Sequence, residues 1–418
     1  MKNLNYKNID GVEISHIEDV SIIDIAREVG TPFYAYSKKS LVENFLEFQD
    51  NFKDIDHKIC YAIKANSNIS VVKVLAELGS GIDAVSAGEI FRALKSGVNP
   101  SDIIFAGVGK TKEAITYALE NGVEHFSAES LPEIYSLNEV AQNIGKKIKF
   151  SLRVNPDVDA KTHDKISTGR KGDKFGVDID KANEIYKIAS ELPGLEIHGI
   201  STHIGSQITT IEPFEKAFAK IRQLCLDLKS QGRAIKTLDL GGGIGIDYQG
   251  EKILSIASYA KIIKELTADL NVKIVLAPGR SIAGDAGVLA SEIIYIKETD
   301  HKNFAIIDGA MNDLARPGLY DSYHEVLPVE KKSGEVKTYD LAGPVCETTD
   351  TLAKNREIKD AKAGDLMLFL SAGAYGSVMS NEYNSRPLVP EVLVDGDQFK
   401  VIRKRPSFEE MIKYEIND

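Results

Sequence analysis

Lys58-Ile59-Cys60-Tyr61-Ala62-Ile63-Lys64-Ala65 is a short apolar run, rich in residues that favour strands, and it breaks off at a lysine. Seven more runs of this kind follow, at 81–87, 103–109, 125–129, 149–155, 197–205, 237–243 and 273–279. Longer stretches of helical period separate them, and such alternation predicts βα units around a parallel sheet. Eight is the number of strands that closes a (β/α)8 barrel.

The intervening segments carry their own helix signals. Ser130-Leu131-Pro132-Glu133 has the spacing of a capping box, with proline in the first turn. Phe214, Ala217, Phe218, Ile221, Leu224, Cys225 and Leu228 recur at helical spacing before Gly232, which makes Cys225 a core residue. After Ser281 the rhythm changes to strand-like runs at 290–296, 304–307, 337–341, 366–370 and 391–400, the last containing the turn signal Asp395-Gly396. The expected organisation is an N-terminal segment, 1–30, that adds a strand to the β domain, a cofactor-binding barrel over 31–285, and an antiparallel β domain over 286–418.

Composition narrows the function classes. With 43% hydrophobic and 27% charged residues, the 418-residue chain is of ordinary globular composition. The apolar runs are too short for a membrane-spanning helix. A formal charge of −11 has the wrong sign for a nucleic-acid or anionic-membrane binder. Cys60, Cys225 and Cys346 lie far apart, which indicates neither a disulfide framework nor a metal site and fits a reducing cytoplasm. The polar N-terminus shows no secretory signal, so a cytoplasmic protein is expected.

In a barrel of this kind the chemistry lies at the C-terminal strand ends. Strand seven ends in Gly241-Gly242-Gly243, where the backbone can approach an anion, although a ligand-free tight turn would also use these glycines. Arg280, after Gly279 in the next strand-end loop, favours phosphate or carboxylate. Lys64 is either a rim charge or an amine emerging into the barrel mouth, where desolvation would lower its pKa and let it form a Schiff base. Beside a phosphate site, it suggests pyridoxal 5′-phosphate. His203 is read as either a core histidine or a ligand-facing one.

These motifs resemble the fold-type III pyridoxal-phosphate amino-acid decarboxylases, which share an alanine-racemase-like barrel, along nearly the whole chain. Tyr61-Ala62-Ile63-Lys64-Ala65-Asn66 is similar to the family's cofactor-lysine motif, and Asp83-Ala84-Val85-Ser86-Ala87-Gly88-Glu89 resembles its second-strand motif. His203-Ile204-Gly205-Ser206-Gln207 resembles the loop whose histidine stacks on the cofactor ring and whose serine binds phosphate. The resemblance thus implies that Lys64, Asp83, His203, Ser206, Gly241, Gly242, Gly243, Gly279, Arg280 and Tyr375 bind the cofactor. Gly343-Pro344-Val345-Cys346-Glu347 resembles a segment that enters the partner subunit's site, which implies a homodimer, with Lys64, His203 and Cys346 catalytic.

Arg316-Pro317-Gly318-Leu319-Tyr320 and Gly373-Ala374-Tyr375 also match, implying that Arg280, Arg316, Tyr320, Glu347 and Tyr375 contact substrate. Ile166-Ser167-Thr168-Gly169 and Lys174-Phe175-Gly176 resemble the branch that decarboxylates meso-diaminopimelate to L-lysine, the last step of lysine biosynthesis. Ornithine and arginine decarboxylation, a racemase-like activity and a non-catalytic cofactor binder are the alternatives. The last arises from one departure, Ala277, where the family has a glutamate that pairs with the cofactor's ring nitrogen.

Overall fold

The computed structural model describes residues 1–160, 168–169 and 172–415. Eight parallel strands form the barrel: β1 (His57–Ala62), β2 (Gly81–Ala84), β3 (Ile103–Phe105), β4 (His125–Ala128), β5 (Ile148–Asn155), β6 (Leu195–Ser201), β7 (Thr237–Asp239) and β8 (Lys273–Leu276). Each pairs in parallel with the next, and β8 pairs with β1 to close the ring. Apart from β5, the strands are shorter than their apolar runs at the C-terminal ends, and at β1 and β2 the reason is local. Ile63–Ala65 turns into a 3-10 helix, so Lys64 leaves the strand before it points anywhere. At β2, the Ser86 hydroxyl accepts from the Glu89 N–H, while the Glu89 carboxylate accepts from the Val85 N–H at 2.7 Å; this exchange starts the helix Ala87–Lys95.

The other helix signals are realised with one change. Ser130 caps Leu131–Ile144 through the Glu133 N–H. The Glu133 carboxylate, however, accepts from the Glu129 N–H at 2.9 Å and from the buried Lys110 ammonium at 2.6 Å, so the return bond of a capping box is replaced by an ion pair. Cys225 is buried on the inner face of Glu212–Ser230. Among the described residues no helix is long and apolar enough to cross a membrane, and no cluster of metal-ligating side chains occurs.

Two compact units result, one holding Asn44–Ile246 and Lys252–Ile282, the other Met1–Glu43, Asp247–Glu251 and the chain from Ala283 on. The barrel unit therefore starts later than the expected residue 31. Phe33–Ser37 is claimed by the β unit because it pairs there on both edges, antiparallel to Gly287–Glu298 and parallel to Glu391–Asp395. A second parallel pairing joins Asn303–Ile307 to Val336–Ala342, so the sheet is mostly rather than wholly antiparallel. Residues 1–30 contribute a small sheet of their own, joined to the rest by the Ser15 N–H donating to the Val329 carbonyl at 2.8 Å.

The core of this unit mixes all three segments of sequence, from Ile17, Ile22 and Ile25 through Phe33 and Ala35 to Val288, Leu368, Val392 and Val394. The predicted hairpin at Asp395 turns through Gly396, whose φ of +65° suits glycine. Thr351–Lys359 is a strand that the sequence hid, since it interleaves Lys354, Arg356 and Glu357 with few apolar residues.

Candidate active site

The glycines after β7 have the conformations that an anion cradle needs. Gly241 and Gly243 have φ of +67° and +108°, and a Cβ on Gly242 would stand 2.2 Å from the Ala277 carbonyl oxygen. The Asp239 carboxylate fixes the loop's entry by accepting from the Gly241 N–H at 2.9 Å. Gly279 lies against β1, where an added Cβ would press on Ala62 and Ala65 at about 3 Å. Arg280, 7% exposed, donates from Nη2 to the Ser206 hydroxyl at 3.2 Å and from Nε at 3.4 Å. A hydroxyl, a guanidinium and a glycine backbone thus converge at the ends of β6, β7 and β8, a donor set suited to a phosphate.

Lys64 lies within the same unit, its amine 3.6 Å from the Asp83 carboxylate. Its side chain keeps 38% of its surface accessible, so the deep desolvation expected from the sequence is not provided by the protein alone. Two further acids lie at the ends of β7 and β2. Burial, reinforced by the Asp83 charge, pushes the Asp239 carboxyl up to about 7. Burial likewise raises Glu89. His203 moves the other way: burial, then the Lys64 and Arg153 charges, holds its imidazole well below the ordinary range. The Gly242 N–H donates to its Nδ1 at 3.3 Å, so the neutral ring carries its proton on Nε2.

The sequence reading missed one buried pair. Glu129, at the end of β4, takes the Arg153 guanidinium from β5 at 2.9 Å, with the two side chains only 3% and 10% exposed. The other Glu129 oxygen accepts from the Gly176 N–H at 2.8 Å, and the guanidinium lies 4.8 Å from the Phe175 ring centroid. Arg153 also donates to the His203 carbonyl at 3.4 Å, which the Thr168 hydroxyl reaches at 2.8 Å. This network ties Thr168 and Lys174-Phe175-Gly176 to the histidine strand end. The strand-end rule that selected Lys64 selects Glu129 equally. Ile166 and Ser167 lie outside the described residues.

The remaining candidates belong to the β unit. Arg316 opens the short helix Arg316–Tyr320 and is 5% exposed. Tyr375 is held at a φ of +55°, a conformation uncommon outside glycine and typical of constrained functional positions. Cys346 and Glu347 sit exposed on the turn after Val336–Ala342. Asp350 braces that turn by accepting from the Val345 N–H at 2.7 Å and the Met311 N–H at 2.6 Å. Hydrogen bonds from Tyr383, at 2.7 Å, and Thr349, at 3.0 Å, hold the Glu347 carboxyl below its usual range.

Residues 38–284 match the family model described as the pyridoxal binding domain of pyridoxal-dependent decarboxylases. A diaminopimelate decarboxylase of Vibrio cholerae is 46% identical over 93% of each chain. The chain belongs to the diaminopimelate decarboxylase family. Two solved structures of that family, both with L-lysine, carry the same fold. The Helicobacter pylori enzyme superposes with a TM-score of 0.91 at 39% identity, covering 94% of this chain and 98% of that one. The M. jannaschii enzyme gives 0.94 at 33% identity, covering 100% and 99%. As a diaminopimelate decarboxylase the protein is a pyridoxal-dependent lyase, and the donor set at Ser206, Gly241–Gly243 and Arg280, with the Lys64 amine in the same unit, fits that cofactor.

Proposed function

We propose that this enzyme removes the carboxylate at the D centre of meso-2,6-diaminopimelate, releasing CO2 and L-lysine, and that it works as a cytoplasmic homodimer. The observation that carries the reading is the Lys64 amine in one barrel mouth with the Ser206–Arg280 cradle, in a chain of this family. Lys64 would bind the aldehyde of pyridoxal 5′-phosphate through Nζ, with Asp83 as its anionic neighbour. Ser206, Arg280, Gly279 and the N–H groups of Gly241, Gly242 and Gly243 would take the phosphate. When bound, the cofactor supplies an electron sink for the carbanion left by CO2 loss.

His203, neutral and fixed through Nδ1, presents an uncharged ring rather than a competing cation. Arg316, Tyr320 and Tyr375 would contact the substrate, with Arg280 and Arg316 toward its distal carboxylate and Glu347 toward its distal amine. Ornithine lacks that carboxylate, and a buried arginine without it forfeits several kcal/mol, of the order expected for an unpaired buried charge. Cys346 and Glu347 are exposed on their own chain, which supports their action in the site of a second copy, where the Cys346 thiol would protonate the decarboxylated carbon.

The test is CO2 release from meso-diaminopimelate by the purified protein with pyridoxal phosphate, with ornithine and arginine in parallel. Release selective for diaminopimelate is expected. Equal release from ornithine would overturn the substrate reading. Ala277 favours a second reading, a cofactor binder of impaired activity, because a methyl group cannot accept a bond from a protonated ring nitrogen. Loss of a charge-assisted bond of roughly 2 to 4 kcal/mol in the transition state corresponds to about 10²- to 10³-fold in rate.

A further inference from the structure

His203 is held both by its ring and by its main chain. From the β7 side, the Gly242 N–H donates to ring Nδ1 at 3.3 Å. From the β5 side, two donors meet its main-chain carbonyl: the Thr168 hydroxyl at 2.8 Å and Arg153 Nη2 at 3.4 Å. The preceding residue is pinned as well, since the Thr202 N–H donates to the Asp239 carbonyl at 2.8 Å and its hydroxyl to the Val154 carbonyl at 3.1 Å. A side chain leaves the backbone in a direction set by the peptide planes on either side of its Cα, and here both planes are fixed.

Two glycines bring the donors to this place. Gly169 lies against Ile204, where an added Cβ would stand 3.0 Å from the Ile204 Cα, and its carbonyl accepts from the Val158 N–H at 2.9 Å. Gly176, at a φ of +67°, runs so close to β5 that a Cβ would stand 2.9 Å from the Arg153 carbonyl oxygen. Glu129 joins this approach to the guanidinium, with one oxygen on the Gly176 N–H at 2.8 Å and the other on Arg153 Nη1 at 2.9 Å. Glu129 is anchored in turn, because its own N–H donates to Glu133, which the buried Lys110 ammonium holds at 2.6 Å. Thr168-Gly169 and Phe175-Gly176 therefore both bear on the peptide of the histidine.

We propose that Thr168, Arg153 and Glu129 are positioning residues for His203, clamping its carbonyl so that the ring presents a fixed face to the cofactor. Thr168-Gly169 and Phe175-Gly176 then govern cofactor geometry from outside the phosphate cradle. The inference rests on the reading of His203 as the residue that lies against the cofactor ring.

The experiment reads two quantities on the cofactor-loaded enzyme: the visible circular dichroism of the bound cofactor, recorded without substrate, and kcat and KM for meso-diaminopimelate. The variants are Thr168→Val, Thr168→Ser, Glu129→Gln, His203→Ala and the double variant Thr168→Val with His203→Ala. Thr168→Val removes the hydroxyl donor at nearly constant volume. It should diminish the dichroic band and lower kcat about tenfold, the scale of one hydrogen bond, while KM stays within about twofold. Thr168→Ser, which keeps the hydroxyl, should restore both. Glu129→Gln leaves Arg153 without its carboxylate and should act in the same direction at least as strongly; Thr168→Val carries the test if that variant does not fold. In the His203→Ala background, Thr168→Val should change neither quantity by more than about twofold, because the clamp has no ring left to orient. An equal effect of Thr168→Val with and without the histidine, or no effect in either, would overturn the positioning. If His203→Ala leaves the dichroic band and kcat unchanged, the reading of His203 falls and the inference with it. The dichroic response stands whichever amino acid the enzyme takes, since no substrate is present when it is recorded.

Discussion

The barrel mouth and the turn that carries Cys346 solve opposite problems. At the barrel mouth polar groups are held by local partners: Glu129 by Arg153, Lys64 by Asp83, and the Arg280 guanidinium by the Ser206 hydroxyl. On the turn, Asp350 holds the backbone rigid while Cys346 and Glu347 stand in solvent. One region gathers the groups proposed to receive a small molecule, and the other holds two reactive groups out in solvent. The difference teaches that bracing a turn's backbone fixes the geometry of groups it leaves exposed, as the proposed action of Cys346 and Glu347 in a second copy would need.

The sharpest way to break the comparison is to disable each region separately. Lys64→Ala should lower kcat at least about 10³-fold and abolish the lysine-linked absorbance of the cofactor. Cys346→Ala should retain that absorbance while slowing correct product formation. If the turn serves a second copy, mixing the two impaired variants should restore about a quarter of wild-type activity above their own residual rates, since half of randomly formed dimers contain one intact site. No recovery on mixing would place both residues in a single chain's site.

Next in size is stability. Arg153→Met leaves Glu129 buried without its cation and should destabilise the fold by about 3 to 5 kcal/mol in denaturant titrations. Glu347→Gln, on the exposed turn, should leave the unfolding midpoint unchanged even if activity falls. Ala277→Glu should raise kcat by about 10²- to 10³-fold, and an unchanged or lower value would show that ring pairing does not limit this enzyme.

The smallest effect concerns Asp239. Its carboxyl is raised in the fold from the ordinary 3.8 to about 7, so the folded state binds the proton more tightly than the unfolded chain does. The resulting penalty on stability is absent below the unfolded value and grows as pH rises until it levels off above about 7. Relative to wild type, apo Asp239→Asn should therefore gain about 2 kcal/mol between pH 5.5 and pH 8, read from unfolding midpoints at both. An equal gap at the two pH values would mean that Asp239 is ionised throughout.

The sequence was legible where local pattern and tertiary role coincide. Strands buried on both faces must be apolar throughout, so all eight barrel strands stood out, and the strand ends then nominated Lys64, His203, the glycines and Arg280. It was opaque where a residue's role is set by a distant partner. The strand-end rule reaches Glu129, but nothing near Arg153 announces that the two are partners, because the pair exists only after the chain has folded. Phe33-Tyr34-Ala35-Tyr36-Ser37 was grouped with the barrel that follows it directly, because nothing local marks it as belonging with Gly287 and Glu391.

That last strand has a consequence for biosynthesis. Its two neighbours in the sheet lie about 250 and about 350 residues further along the chain, while the barrel's strands pair largely with their immediate successors. A ribosome making this protein completes the last barrel strand, Lys273–Leu276, only about ten residues before the first edge partner of Phe33–Ser37 begins at Gly287, and about a hundred further residues separate that partner from the second. Until Gly287 is made, Phe33, Tyr34, Ala35 and Tyr36 wait with both hydrogen-bonding edges of their strand open, and a nascent chain stalled before that residue is the form of this protein most in need of a chaperone.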